Sequence, residues 1–219
     1  MPRFDLVTSI HKAIRAMVYE TGGALQTADF ADERGAGAAE KLGPVLVLLQ
    51  EHHDNEEQFV FPELAPYEPE LVGELQAQHD EVVRLISIAG GALDAVRSAT
   101  DGSRIGAGVD LNRRYNELAA FYLEHLAHEE ATILPAMWRH FDDAQLMAIQ
   151  GAIMASATPD QMMQTLGWMF KGLNRMELVG ILSAAKATVP PPALDAVRQL
   201  GASTMEPAAW QTVSEQADL

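Results

Sequence analysis

The chain contains no cysteine. Disulfide staples and thiolate metal sites are therefore excluded, and the composition suits a reducing compartment. Basic residues are also scarce: 15 Lys and Arg stand against 31 Asp and Glu, a formal charge of −16. Such a surface opposes binding to nucleic acid or to anionic lipid. No uninterrupted apolar stretch approaches the length of a membrane span, and the start, Met1-Pro2-Arg3-Phe4-Asp5, lacks the charged and apolar regions of a signal peptide. The expectation is a cytoplasmic protein that meets neither nucleic acid nor membrane. Strand-like alternation is nowhere sustained. A Ser-His-Asp set, a Gly-rich phosphate loop and a cysteine nucleophile are missing too, which argues against hydrolase, nucleotide and thiol chemistry.

What is abundant is Ala, Leu, Glu and Met on long periodic segments, so an all-α fold is expected. Helices are predicted near 4–30, 38–65, 68–98 and 109–139, with a loop from Thr100 through Gly106 and Gly108. Gly22-Gly23 and Gly90-Gly91 interrupt the pattern, through either close packing or fraying. Short connections imply an up-down-up-down four-helix bundle over residues 1–140.

Each predicted helix carries a histidine on its apolar track. The first reads Val7, His11, Ile14 and Val18, and the second Leu42, Leu46, Leu49, His53, Glu57, Val60 and Leu64. The third reads Val72, Leu75, His79, Val82 and Ile86, and the fourth Leu111, Tyr115, Leu118, Tyr122, His125, Glu129 and Ile133. Burying an uncompensated carboxylate costs several kcal/mol, so Glu57 and Glu129 on core faces require partners, and a cation shared with histidines supplies one. Counted from the expected helix ends, the four histidines fall at one level of the bundle, which a random scatter would not produce.

The ordered set resembles the hemerythrin family, specifically the bacterial hemerythrin-like proteins with His-His-Glu cation-binding domains. The residues carrying the resemblance are His11, the segment His52-His53-Asp54-Asn55-Glu56-Glu57-Gln58-Phe59-Val60-Phe61-Pro62, the stretch Gln78-His79-Asp80-Glu81, and His125-Leu126-Ala127-His128-Glu129-Glu130 with Pro135 after it. The resemblance implies two irons per chain, oxo- or hydroxo-bridged, with Glu57 and Glu129 bridging and His11, His53, His79 and His125 as imidazole ligands. Zinc or manganese would suit the same donors. His52 with Glu56 forms an alternative pair one residue out of phase, and Glu130 is an alternative to Glu129. Oxygen-carrying hemerythrins have a further histidine one turn before the third-helix ligand, where this chain has Leu75. Tyr122 is read either as a core tyrosine with a satisfied hydroxyl or as a partner of the site, His128 as an outer or surface group, and His140 as a solvated residue near a helix end.

After about residue 141 the character changes to short helices, a C-terminal extension over 141–219. Asp142-Asp143, Pro159-Asp160, Asn174, Pro190-Pro191-Pro192 and Glu206-Pro207 are their start or break signals. Met147, Met154, Met162, Met163, Met169 and Met176 are read chiefly as core filler, with an adaptable binding surface as the alternative. Met162, Leu166, Met169 and Leu173 form an apolar stripe expected to pack on the bundle or on a partner, in a homo-oligomer or with another protein.

The functional expectation is a diiron protein that reversibly binds or senses dioxygen or a related small ligand, nitric oxide or peroxide. Two alternatives stand beside it: an enzyme decomposing peroxide or reducing nitric oxide, and an iron-storage or iron-dependent regulatory protein. Neutral imidazole ligands need their second nitrogen bonded outward, so outer acceptors are expected near all four histidines.

Overall fold

The computed structural model describes residues 3–100 and 102–219, apart from the side chain of Glu33. Readings that rest on Met1, Pro2 and Asp101 lie outside the described residues. Among the described residues the regular elements are all helical. In chain order they are α1 (Thr8–Gln26), α2 (Glu33–Glu40), α3 (Leu42–Asn55), a π turn (Glu56–Val60), α4 (Phe61–Leu64), α5 (Pro69–Ser98), α6 (Arg104–His140), α7 (Asp143–Ser156), α8 (Pro159–Gly172), α9 (Arg175–Thr188), α10 (Pro191–Thr204) and α11 (Pro207–Gln216). The helix expected over 38–65 is thus a composite of α3, the π turn and α4.

Contacts divide the chain into two compact units, Met1–Leu6 with Met17–Ile153, and Val7–Ala16 with Met154–Leu219. In the first unit, cross-links set the helix directions. Arg139 near the end of α6 donates to Glu68 just before α5 at 2.6 Å, while the His79 and His125 rings midway lie 5.0 Å apart, so α5 and α6 are antiparallel. Arg97 at the end of α5 donates to Glu40 just ahead of α3 at 2.7 and 2.9 Å, so α3 and α5 are antiparallel as well. Tyr115 on α6 donates its hydroxyl to the Val18 carbonyl of α1 at 2.5 Å, and Trp138 farther along donates to the Phe4 carbonyl at 2.8 Å. The result is the up-down-up-down bundle. Its core includes the fully buried Met17, Leu25, Leu42, Leu49, Leu64, Leu75, Leu111 and Leu118. Each such side chain contributes roughly 1.5–3 kcal/mol relative to an exposed one.

Two glycine readings resolve here. A Cβ on Gly22 would meet Cε1 of Tyr115 at 3.2 Å, so this glycine permits close packing between α1 and α6. Gly106 and Gly108, expected in a loop, lie inside α6. A Cβ on Gly108 would sit 2.1 Å from the ring of Phe30, so this position carries no side chain because an aromatic ring occupies the space.

In the second unit the predicted start signals act as caps. Thr158 and Gln161 bond reciprocally at the start of α8, as do Asn174 and Glu177 at α9, and Glu206 accepts from the amides of Ala208 and Ala209 at α11. The Asp142 cap of α7, paired reciprocally with Gln145, belongs to the first unit. Phe170, Leu173, Leu178, Leu182, Val197 and Val213 form the second core, with Met163, Leu166 and Met169 packed against it. The methionine reading is corrected in part. Met147, Met154, Met162 and Met176 are exposed, and Met163 instead of Met162 opens the apolar stripe, so filler describes Met163 and Met169 alone of these six. No helix among the described residues is long and apolar enough to cross a membrane.

Candidate metal centre

α6 supplies His125 and Glu129. Four residues apart, they share one helix face, and His125 Nε2 lies 3.2 Å from Glu129 Oε1 with both side chains buried. α5 supplies His79, also buried. α3 presents both His52 and His53 to the interior, and the turn after it decides which carboxylate follows them inward.

That turn is wider than an α turn: the Phe61 amide bonds to the carbonyl of Glu56, five residues back. Pro62 supplies no N–H and crowds the carbonyl one turn before it, which loosens the helical ladder here. The inward positions therefore step from His52 to Glu56 and then, over the widened turn, to Phe61 and Leu64, all buried. A uniform 3.6-residue period projected back from Val60 and Leu64 arrives one residue late, at Glu57 and His53. Both histidines are buried, but of the two glutamates it is Glu56 that turns inward, so the alternative pair His52–Glu56 is the one whose donor atoms gather with Glu129, while the Glu57 side chain is 34% exposed. Insertions of this kind recur at functional sites.

Glu56 and Glu129 each belong to two clusters of donor atoms. One contains His79 and His125, the other His52, with the donors of each cluster within 4.8 Å of one another. His79 Nε2 lies 3.5 Å from Glu56 Oε2 and 3.6 Å from Glu129 Oε1, and His52 Nε2 lies 3.6 Å from Glu56 Oε1. Burial pulls the His79 imidazolium down, but Glu129 and Glu56 overcome it and raise its pKa to about 10. Burial, reinforced by the charge of Glu56, holds the Glu129 carboxyl well above its usual range despite His79 beside it. Without a cation this region therefore retains protons that solvent-exposed groups would have lost.

The outer nitrogens are engaged as expected for two of the histidines. His79 Nδ1 lies 3.0 Å from Glu57 Oε1, and His125 Nδ1 lies 2.9 Å from Gln78 Oε1. His53 stands outside both clusters, with Nδ1 3.2 Å from the Leu49 carbonyl and its pKa lowered by burial and by the nearby charge of His79. Tyr122 is fully buried and donates its hydroxyl to that same carbonyl at 3.2 Å, the arrangement of a satisfied core tyrosine. His128 Nε2 lies 3.1 Å from Glu74, and His140 Nε2 lies 2.9 Å from Glu68, both away from the centre. Glu130 joins neither cluster. His11 is fully buried on the part of α1 that belongs to the second unit.

The donors fit a cation. A metal about 2.1 Å from each ligand atom sets neighbouring donors about 3.0–3.4 Å apart, depending on tetrahedral or octahedral geometry. The spacings here run from 3.2 to 3.6 Å, wide for direct hydrogen bonds and close to that range. Buried carboxylates and imidazoles together suit divalent iron, zinc or manganese. The model of the hemerythrin HHE cation-binding domain matches residues 3–137. No curated protein and no solved structure gives a match.

Proposed function

Because the chain belongs to the hemerythrin HHE cation-binding domain family, we propose that it is a non-haem diiron protein that reversibly binds or senses dioxygen or a related small ligand, nitric oxide or peroxide. The observation that carries the reading is that Glu56 and Glu129 belong to both of two buried donor clusters, so that the two carboxylates would be shared between two cations. His79 and His125 would hold one cation. His52 would hold the other.

Bound iron supplies a redox-active centre with room in its coordination sphere for a small exogenous ligand. The chain contributes two carboxylates and neutral imidazoles, a set poorer in anions than the carboxylate-rich sites of ferritin-like oxygenases. It therefore neutralises less of the metal charge, which favours holding a ligand over cleaving it. Leu75, fully buried one turn before His79, places an apolar side chain where oxygen carriers add a histidine, so one cation would have a nitrogen ligand fewer. The Tyr122 hydroxyl is committed to the Leu49 carbonyl.

Metal analysis and absorption spectroscopy of the purified protein test this reading. About two irons per chain, with a spectrum that changes reversibly on adding and removing dioxygen or nitric oxide, is the expected result. Sustained peroxide consumption above that of free iron would replace it with the enzyme, and an unchanged metal content in Glu56→Ala and Glu129→Ala would overturn it.

A further inference from the structure

The widened turn leaves one of two consecutive carboxylates outside the cation positions proposed above. We infer that Glu57 is a positioning residue, which grips His79 by its outer nitrogen and lends it negative charge so that the inner nitrogen is a preset, stronger donor to the cation. The inference rests on the proposed function.

His79 is held from both sides by neighbours in the chain. Glu56 Oε2 lies 3.5 Å from Nε2, and Glu57 Oε1 lies 3.0 Å from Nδ1. In a regular helix, residues one apart point about 100° apart and rarely reach opposite edges of one ring. Here the five-residue turn carries them to either side. Glu57 is itself oriented, because Gln76, one turn before His79 on α5, donates to its second oxygen at 3.0 Å. Phe61, at the end of the same widened turn, stacks on the imidazole with centroids 5.0 Å apart and planes at 20°. One short stretch of backbone thus sets the ring's face, its outer edge and one neighbour of its inner edge.

The other imidazole of that cation position is treated differently. His125 gives its outer nitrogen to the neutral amide oxygen of Gln78 at 2.9 Å, whereas His79 gives its own to a carboxylate. A carboxylate behind a ligating imidazole fixes its tautomer and raises its basicity more than an amide does. The Glu57 side chain is partly open to water, so it does not bear the desolvation cost that the buried Glu129 does.

The test uses the full-length protein with Co²⁺ as probe, followed by calorimetry and by the visible spectrum of the bound ion, and then the reduction potential of the iron-loaded protein. Glu57→Ala is expected to weaken Co²⁺ binding roughly 10- to 100-fold and to shift the visible bands. Glu57→Gln retains an acceptor oxygen, so it should recover most of the affinity while raising the reduction potential, a split that loss of packing would not produce. Binding within twofold of wild type with an unchanged spectrum in Glu57→Ala, or a Glu57→Gln potential equal to wild type, would overturn the inference. His79→Ala and Glu129→Ala serve as references. If they lose Co²⁺ while Glu57→Ala does not, this inference alone fails, whereas wild-type protein that takes up no Co²⁺ fails the proposed function beneath it.

Discussion

The inner nitrogen of His79 lies 3.6 Å from Oε1 of Glu129, and both groups hold protons more tightly than their ordinary values allow. Burial works against the His79 charge, and the carboxylates of Glu129 and Glu56 outweigh it. Burial and Glu56 together raise Glu129. A cation entering here meets protonated donors.

Metal binding should therefore release protons and strengthen with pH. With a His79 pKa of about 10, each proton displaced makes affinity rise by about tenfold per pH unit across the neutral range. Calorimetric titrations at pH 7.5 in buffers of different ionisation enthalpy should give different apparent heats; identical heats would mean that no proton leaves. The sign for the metal-free fold is the reverse. His79 is raised above its ordinary 6.5, so its contribution to stability is complete below that pH and is lost as pH rises through about 10. Denaturant unfolding of metal-free protein across that window should show a decline that His79→Gln lacks.

Adjacent histidines on α3 should separate in their effects. His52→Ala removes a donor within 3.6 Å of Glu56 and is expected to lower the metal content by about one ion per chain. His53→Ala removes a ring bonded to the Leu49 carbonyl and should cost stability while leaving metal content at the wild-type value. Metal analysis of both variants decides, and the reverse pattern would restore the phase expected from uniform periodicity.

Glu56→Gln with Glu129→Gln should remove the metal response of the fold. Amides of the same shape keep the packing but offer no anionic oxygen to a cation or to the His79 imidazolium. For wild type, free metal at a hundred times Kd adds about 2.7 kcal/mol, a rise in Tm of roughly 5–10 °C that a chelator reverses. The double variant should show no rise in Tm on adding metal.

Two glycines of the second unit should respond oppositely to alanine. A Cβ on Gly201 would sit 2.3 Å from the Trp210 ring, so Gly201→Ala is expected to cost about 1–3 kcal/mol through overpacking. Gly180, inside α9 with open space around it, should gain about 0.5–1 kcal/mol as Gly180→Ala. Thermal unfolding of the two single variants measures both.

Much of this protein is legible without coordinates because it depends on short-range rules. The 3.6-residue recurrence of Leu, Val and His places α1, α3, α5 and α6 and names His79, His125 and Glu129 as inward. The caps at Asn174 and Glu206 follow from side chains meeting amides within three residues. At 56–60 the rule gives way, since periodicity assumes one turn width throughout. The sequence does hold a signal for the change, in Pro62 following two glutamates, but it is ambiguous: Pro135 follows Glu129 and Glu130 at the same distance, and α6 continues through it.

By itself, then, the order of residues determined an acidic all-helical chain without thiols, with histidines and glutamates on the apolar faces of a bundle, because composition and helical phase are properties of neighbours along the chain. Only the tertiary structure decided that Glu56 turns inward while Glu57 grips the outer nitrogen of His79, and that Gly108 yields its space to Phe30. These outcomes turn on which helix packs opposite, and a one-residue change of phase costs little locally but exchanges every side chain that the neighbouring helix meets.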